Sequence, residues 1–470
     1  MARTTWRACG VILSAAVFNF SVCATLYSAE PVSRAVEEEA LALLSRYIQI
    51  DTTNPPGNEM KAAQFFKEIF DREGIEATII ESAPARANIY ARVRGSGTKK
   101  AVVLLNHMDV VPADAKRWKE PPFSAVNKDG YIWGRGALDM KGPAIVELMS
   151  LILMKRRNVP LKGDIIFLGT ADEEAGGALG AGFLLEKHAE LFSDVGLVLN
   201  EGGGIQLGDD GRVGYYQVSV AEKTPLWLRL TAPGVAGHGA TPGTPLAVNK
   251  LVLALNRLIQ YESPIRVVPE VQKFYADTAP FEATERQKQF TDLRAAIRDP
   301  FFAAEFVKEP RNNARVRNTI SITGIKGSDK VNVIPAEASA ELDIRLLPGE
   351  DPQAFIDIVR KVIADDSIKI DVLLSFPAAT SPPHAEATKA ISELARAHDG
   401  DVPVLAPLVS GFTDCHFFRE KKIPCYGFLP MRSSAGGESL VHGNNERLSL
   451  ENFNFAIRAM FELMEKLTAE

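Results

Sequence analysis

Three carboxylates stand side by side in "GTADEEAGG", residues 169–177: Asp172, Glu173 and Glu174. They directly follow "DIIFL", which reads as a buried strand. Like charges crowded at the end of an apolar strand repel one another and resist desolvation. The arrangement recurs, with His107 and Asp109 following "AVVLL" and Glu201 following "VGLVL". In an open α/β sheet the carboxyl ends of the strands are where ligands bind. Three such ends delivering carboxylate or imidazole, with no matching Lys or Arg beside them in sequence, ask for a cation. A bound divalent metal would hold these acids ionised together. No CxxC or other thiolate metal pattern exists, so oxygen and imidazole must hold any metal.

The elements that must position these groups show in the hydrophobic pattern. "EEALALLSRYIQI" and "EMKAAQFFKEIFDREG" have the period of amphipathic helices. "KAVVLLNH", "DIIFLGT" and "DVGLVLNE" are short, nearly all-apolar runs, as expected of strands covered on both faces of a largely parallel sheet. "GPAIVELMSLILMKRR" predicts a helix with Pro143 near its first turn, where a missing N–H costs little. From Lys223 the pattern changes. "PLWLRLTA", "NTISITGI", "ASAELDIRLL" and "IKIDVLL" read as strands, and "PLAVNKLVLALNRLIQ" and "PQAFIDIVRKVIAD" as helices, which suggests a smaller α+β unit with an antiparallel sheet. The alternation resumes after about Ser375 and ends in the helix "LENFNFAIRAMFELMEKL". The expected organisation is an N-terminal leader (1–29), an α/β catalytic domain in two parts (30–222 and 376–470), and an α+β domain inserted between them (223–375). At 470 residues the chain exceeds one ordinary core.

Six motifs, "NHMDVVP", "GRGALDMKG", "ADEEAGG", "NEGGG", "GVAGHGATP" and "HGNNERL", occur in the order found in the M20 metallopeptidases, which the chain resembles from about residue 35 to its end. That family includes glutamate carboxypeptidase, aminoacylase, succinyl-diaminopimelate desuccinylase, acetylornithine deacetylase and carboxypeptidase S. The resemblance implies a mostly parallel mixed sheet flanked by helices, an inserted lid and dimerisation domain, and a two-metal site. Asp139 would bridge both ions, His107 and Glu201 would complete one, and Glu174 and His442 the other. Such a set suits zinc, and cobalt or manganese could also occupy it. Glu173 would be the general base. Asp109, two residues from His107, would accept the imidazole N–H and fix its tautomer. Asp172 is left as structural, as are His188, His384, His398 and His416.

In the inserted unit, His238 resembles a lid histidine that polarises the scissile carbonyl, often across a homodimer. Asn332 of "NVIP" and Arg345 of "LDIR" match positions that hold the substrate's free carboxylate, and Gly411 of "SGFTD" a backbone contact. The bland readings are a turn residue for Asn332 and a strand-surface ion pair for Arg345. Phe412 stands where several relatives have a small residue. The segment from about Ser263 to Arg317 lengthens the lid as in the carboxypeptidase S branch, which includes secreted N-acyl amino acid hydrolases. The expected activity is hydrolysis of an amide or peptide bond beside a free carboxylate, on a small peptide or N-acyl amino acid. A catalytically inactive, exported binding protein of the same fold is the alternative, and metal content separates the two.

The remaining sequence sets limits. The charged fraction is 24% and the net charge −6, with Lys and Arg scattered, which gives no electrostatic reason to expect nucleic acid. "MARTTWR", the apolar "GVILSAAVFNF" and the small residues of "SVCATLYSAE" have the order of a secretory signal, with cleavage after Ala24 or Ala29. The expected location is secreted or periplasmic, or membrane-anchored if the signal is retained. Cleavage would leave Cys415 and Cys425, whose spacing alone does not decide whether they pair.

Overall fold

The computed structural model describes residues 1–2, 32–208, 210–382, 385–434 and 440–469. The leader, with its anchor alternative, and His384 lie outside the described residues. Among the described residues no helix is long and apolar enough to cross a membrane.

The central sheet has six strands in the order Glu76–Ala83, Arg86–Val93, Ile165–Thr170, Ala101–His107, Val195–Asn200, Cys425–Gly427. The last four run parallel to one another, and the first two form an antiparallel hairpin on one edge. Every residue of Ala101–His107 and of Ile165–Thr170 is buried. That is why their sequence is a continuous apolar run instead of an alternation. Val102, Leu104, Ile165 and Phe167 face one layer, built from the helices Arg34–Ile48, Glu59–Glu73, Lys141–Arg156 and Leu450–Thr468. Val103, Leu105, Ile166 and Leu168 face the other, with Leu184 and Leu185 of the helix Ala181–Lys187 and Phe418 of Cys415–Glu420. The fold is therefore α/β around a mostly parallel mixed sheet.

A second, four-stranded sheet is antiparallel throughout, in the order Thr319–Lys326, Glu337–Leu346, Thr224–Pro233, Lys369–Ser375. In Glu337–Leu346 each even-numbered residue from Ala338 to Leu346 is buried and none of the others is. That is the period-2 pattern of a sheet with one covered face. The helices Ala247–Gln260 and Pro352–Ile363 cover it, packing Leu251, Leu255, Phe355 and Val359 onto Leu228, Leu342 and Ile344. Pro352 opens its helix at a position where a proline is tolerated, and Asp351 caps it by accepting from the Gln353 N–H at 2.9 Å.

The segment 263–317 behaves differently from a simple lengthening of the lid. It folds into short helices, including Pro269–Thr278, Pro300–Phe306 and Pro310–Val316, each opened by a proline. Its core residues Val271, Phe274, Phe306 and Val316 pack with Ala221, Leu405 and Leu408, beside the parallel-sheet unit, and not with the four-stranded sheet's core. Cys415 and Cys425 form a disulfide that ties the helix Cys415–Glu420 to the edge strand Cys425–Gly427.

Candidate metal centre and active site

The parallel strands deliver their polar ends to one edge, with His107 paired in register to Thr170. Asp139 reaches the same edge from the loop before Lys141–Arg156. Its carboxylate turns one oxygen to each of two histidines: Oδ1 lies 2.9 Å from His107 Nε2, and Oδ2 lies 3.2 Å from His442 Nε2. Glu174 Oε2 is 3.1 Å from His442 Nε2, and Glu201 Oε1 is 3.7 Å from His107 Nε2. Two groupings bring ligand atoms within 4.8 Å of one another: His107 with Asp139 and Glu174, and His107 with Glu173 and Glu201. The structure thus brings together all five expected ligands and Glu173.

Electrostatics marks this as a cation site. Burial pushes the carboxyls of Glu173 and Glu201 well above the usual range, and that of Glu174 upward, with neighbouring carboxylates adding to each rise. Hydrogen bonds to Asp139 and Glu174 raise the His442 imidazole to about 10. The His107 imidazole lies well above its ordinary value, held there against burial by Asp109, Asp139, Glu201 and Glu173. The cluster takes up positive charge wherever it can. Glu174 Oε1 is buried without a hydrogen-bond partner among the described residues. Two imidazoles and three carboxylates, among them Asp139 presenting both oxygens, fit a pair of divalent cations.

Asp172 is solved separately. It sits at φ 72°, a left-handed conformation that Asp tolerates better than most residues. Its carboxylate accepts from Arg86 Nη2 at 2.8 Å, Asn54 Nδ2 at 3.2 Å and the Leu179 N–H at 3.2 Å. Arg86 also forks onto buried Glu59, at 2.6 and 2.8 Å. One guanidinium thus neutralises two acids, while Glu173, Glu174 and Glu201 have no such partner among the described residues.

Asp109 differs from expectation. Its carboxylate oxygen is 3.6 Å from His107 Nδ1, too far for a hydrogen bond. The Nδ1 instead meets the main-chain oxygen of Asp109 at 3.0 Å. That carbonyl can only accept, so it fixes the tautomer with Nε2 free to act as a ligand. The carboxylate accepts from the N–H groups of Glu173 (3.1 Å) and Glu174 (3.2 Å) and from Asn54 Nδ2 (2.7 Å). It positions the two glutamates and not the imidazole, because the tight turn at Asp172 aims those N–H groups at it.

Sequence reasoning missed Glu446. This buried carboxylate accepts from the N–H groups of Leu138 (2.7 Å), Gly136 (3.0 Å) and Asp139 (3.2 Å) and pairs with Arg135 at 2.7 Å. It locks the Asp139 loop to the His442 loop. The signal was present, since Glu446 lies four residues after His442 inside "HGNNERL".

The substrate candidates fall into two groups away from the cluster. His238 is exposed and pairs across a short bridge with Val333, next to Asn332, whose carbonyl accepts from the Gly239 N–H at 2.9 Å. Arg345 lies with its guanidinium 4.8 Å from the Phe412 ring centre, beside Gly411. Its fork is engaged by Asp343, at 2.6 and 2.9 Å, which is the strand-surface ion pair that the sequence left open. Among the described residues no hydrogen bond or ion pair joins His238, Asn332 or Arg345 to the acid cluster.

A family model described as peptidase family M20/M25/M40 matches residues 103–466. The chain is 32% identical over 373 residues to an N-fatty-acyl-amino acid synthase/hydrolase of Xenopus tropicalis, covering 77% of this chain and 72% of that protein. It is 25% identical over 423 residues to aminoacylase-1B of Rattus norvegicus, covering 88% and 92%. A solved M20 family metallo-carboxypeptidase from Sulfolobus solfataricus shares the fold, with a TM-score of 0.69 at 20% identity, over 91% of this chain and 98% of that one. The chain belongs to peptidase family M20/M25/M40 and is a metallo-hydrolase acting on amide bonds.

Proposed function

We propose that the chain hydrolyses N-acyl amino acids with apolar acyl groups, cutting the amide bond beside a free carboxylate. The observation that carries the reaction is Glu173, buried within the acid–imidazole cluster, its carboxylate free of hydrogen bonds among the described residues. When bound, a pair of divalent cations supplies Lewis acidity and makes the attacking water more acidic. His107, Asp139 and Glu201 would hold one ion, and Asp139, Glu174 and His442 the other, with zinc as the proposed metal. Glu173 takes a proton from the water as it adds to the carbonyl carbon. It then passes that proton to the nitrogen as the C–N bond breaks, leaving a carboxylic acid and an amine.

The apolar preference is supported by Trp227 and Phe412, whose rings lie 5.8 and 4.8 Å from the Arg345 guanidinium, and by Phe376, 5.3 Å from Phe412. The similarity to an N-fatty-acyl-amino acid synthase/hydrolase points the same way. Arg345 Nη1, not engaged by Asp343, is offered to the substrate carboxylate. The unit 223–375 serves as lid and dimer contact, supported by exposed Val235, Val248, Val252, Ile325, Val331 and Val333. Export is proposed from the leader, and the Cys415–Cys425 disulfide fits an oxidising compartment.

The test is hydrolysis by metal-loaded protein of a panel of N-acyl amino acids of increasing acyl length, dipeptides and C-terminally amidated controls. Faster turnover of apolar N-acyl amino acids than of dipeptides, with amides poor, is expected. Equal rates on free acids and amides would overturn the carboxylate requirement. Absence of turnover in a chain that takes up fewer than two divalent ions would favour the inactive binding protein.

A further inference from the structure

The turn that carries Glu173 and Glu174 ends in two glycines, and each is backed by side chains from a different element. A methyl group on Gly176 would lie 2.7 and 3.0 Å from Leu374 Cδ1 and Cδ2, and its three nearest atoms would all belong to Leu374. A methyl group on Gly177 would instead meet Asp414 and Phe417. Gly176 sits at φ 107°, and its N–H closes the turn on the Glu173 carbonyl at 2.9 Å. The backbone of the turn therefore abuts Leu374 two residues after Glu174.

Leu374 belongs to Lys369–Ser375, an edge strand of the four-stranded antiparallel sheet. The register of that strand shows how it reaches the turn. Leu228 pairs with Val372 and Trp227 with Leu374, which leaves Leu373 as an extra residue. Side chains alternate along a strand, so one inserted residue moves those beyond it to the opposite face. Leu374 thereby shares the open face with Trp227 and Asp343, which are hydrogen-bonded to each other at 3.0 Å. Without the bulge it would point toward the helices Ala247–Gln260 and Pro352–Ile363, which cover the other face. Edge-strand bulges beside active sites commonly re-aim a side chain in this way.

The strand is also held where it leaves the sheet. Phe376 stacks on His416 with ring centres 3.6 Å apart. The segments 219–224 and 376–381, which enter and leave the four-stranded sheet, run side by side. Thr380 bridges to Ala221, and the Ser381 N–H donates to the Val220 carbonyl at 2.9 Å. Arg419 meets both segments, pairing with Glu222 at 2.9 Å and donating from Nε to Ser381 Oγ at 3.2 Å. His416 and Arg419 lie on Cys415–Glu420, the helix that the disulfide ties to the parallel sheet. The strand is thus pinned to the parallel-sheet unit two residues from Leu374.

We propose that Leu374 is a positioning residue for the hydrolysis. It acts through Gly176 on the backbone of the turn, and so holds Glu173 toward the attacking water and Glu174 in place as a ligand. Asp109 fixes the start of that turn by accepting from the N–H groups of both glutamates, and Leu374 fixes its glycine end. A misplacement of about 1 Å caused far from the chemistry can cost about a hundredfold in rate, which is what gives an apolar contact outside the cluster its leverage. The proposal rests on the reading of Glu173 as base and Glu174 as ligand.

The test compares metal-loaded Leu374→Ala with Leu374→Met and with Leu373→Ala, the exposed neighbour on the same strand. Leu374→Ala should lower kcat by about ten- to a hundredfold and leave KM unchanged. Leu374→Met refills most of the space and should recover most of the loss, while Leu373→Ala should match wild type. A second readout needs no turnover. In Leu374→Ala, chelator competition should find one of the two ions held about tenfold more weakly, because its glutamate ligand has lost its support. The proposal requires both effects. A packing role alone would lower the unfolding free energy and leave kcat and both ion affinities as in wild type, which would overturn it. So would a change in KM alone, or an equal loss in Leu373→Ala. A failure of the Glu173 reading shows separately, as activity retained in Glu173→Gln.

Discussion

Glu173 and Glu174 are neighbours in sequence with different surroundings. Glu174 Oε2 meets His442 at 3.1 Å, whereas the carboxylate of Glu173 makes no hydrogen bond among the described residues. Burial, reinforced by Glu201 and Glu174, makes the Glu173 carboxyl a much weaker acid than usual, as a proton-transfer group requires. Glu173→Gln keeps the shape and removes the exchangeable proton. It should lower kcat/KM by about 10²- to 10⁴-fold while leaving the metal content, measured by elemental analysis, at the wild-type level. Because Glu173 also lies within ligand distance of His107 and Glu201, the metal count is decisive. Loss of an ion in this variant would make Glu173 a ligand and not the base. At this scale the residues that the structure brings together each sit within a short motif, His107, Glu174 and Glu201 at strand ends and Asp139 and His442 in loops. The sequence did not show their supports. Arg86 and Glu59 lie 27 residues apart, and Arg86 reaches Asp172 across 86 residues. No local pattern distinguishes such a long-range neutralising pair from a surface one.

The buried strands and capped helices were legible because their signals are local: apolar runs, period-2 alternation, and a proline after Asp351. The placement of 263–317 was not. Its helices are short and three of them are opened by a proline, but what the segment packs against is decided by Ala221, Leu405 and Leu408, remote in sequence. The disulfide-tied helix Cys415–Glu420 shows the same limit. His416, read as structural, stacks on Phe376 with ring centres 3.6 Å apart and donates from Nδ1 to the Thr413 carbonyl at 2.9 Å. Burial drives its pKa down to about 4, helped by nearby Arg419. The unfolded chain takes up a proton near pH 6.5, whereas the folded one resists until about 4. His416 therefore contributes stability that is complete above pH 6.5 and is lost as pH falls toward 4, at a rate approaching 1.4 kcal/mol per pH unit. Chemical denaturation of wild type and His416→Phe at pH 7 and pH 5 checks this. The difference in unfolding free energy should move in favour of the variant by about 1 to 2 kcal/mol at the lower pH. A difference independent of pH would mean that folding leaves the His416 pKa where the unfolded chain has it, and a shift against the variant would mean that His416 is protonated in the fold.

In the whole molecule, His238 is the residue that one chain leaves without an obvious task. It is exposed, yet its imidazole is oriented: the Ala240 N–H donates to Nδ1 at 3.0 Å. That bond makes Nδ1 the acceptor and leaves the proton on Nε2, a donor aimed away from its own loop. Around it Val235, Val331 and Val333 are exposed, on a surface too apolar to be left to solvent without cost. A two-fold dimer through this unit would cover that surface and carry each Nε2–H to the other chain's metal centre. There it would stabilise the oxyanion formed as water adds to the carbonyl. Glu173→Gln and His238→Ala should each be inactive alone. In the mixed dimer one site combines its own Glu173 with the partner's intact histidine loop. Random mixing makes half the dimers mixed, each with one complete site of two, so roughly a quarter of wild-type activity should return. Co-expression with two affinity tags isolates the mixed species, and its activity per dimer should be about half that of wild type. Verified mixed dimers as inactive as either parent would confine His238 to its own chain.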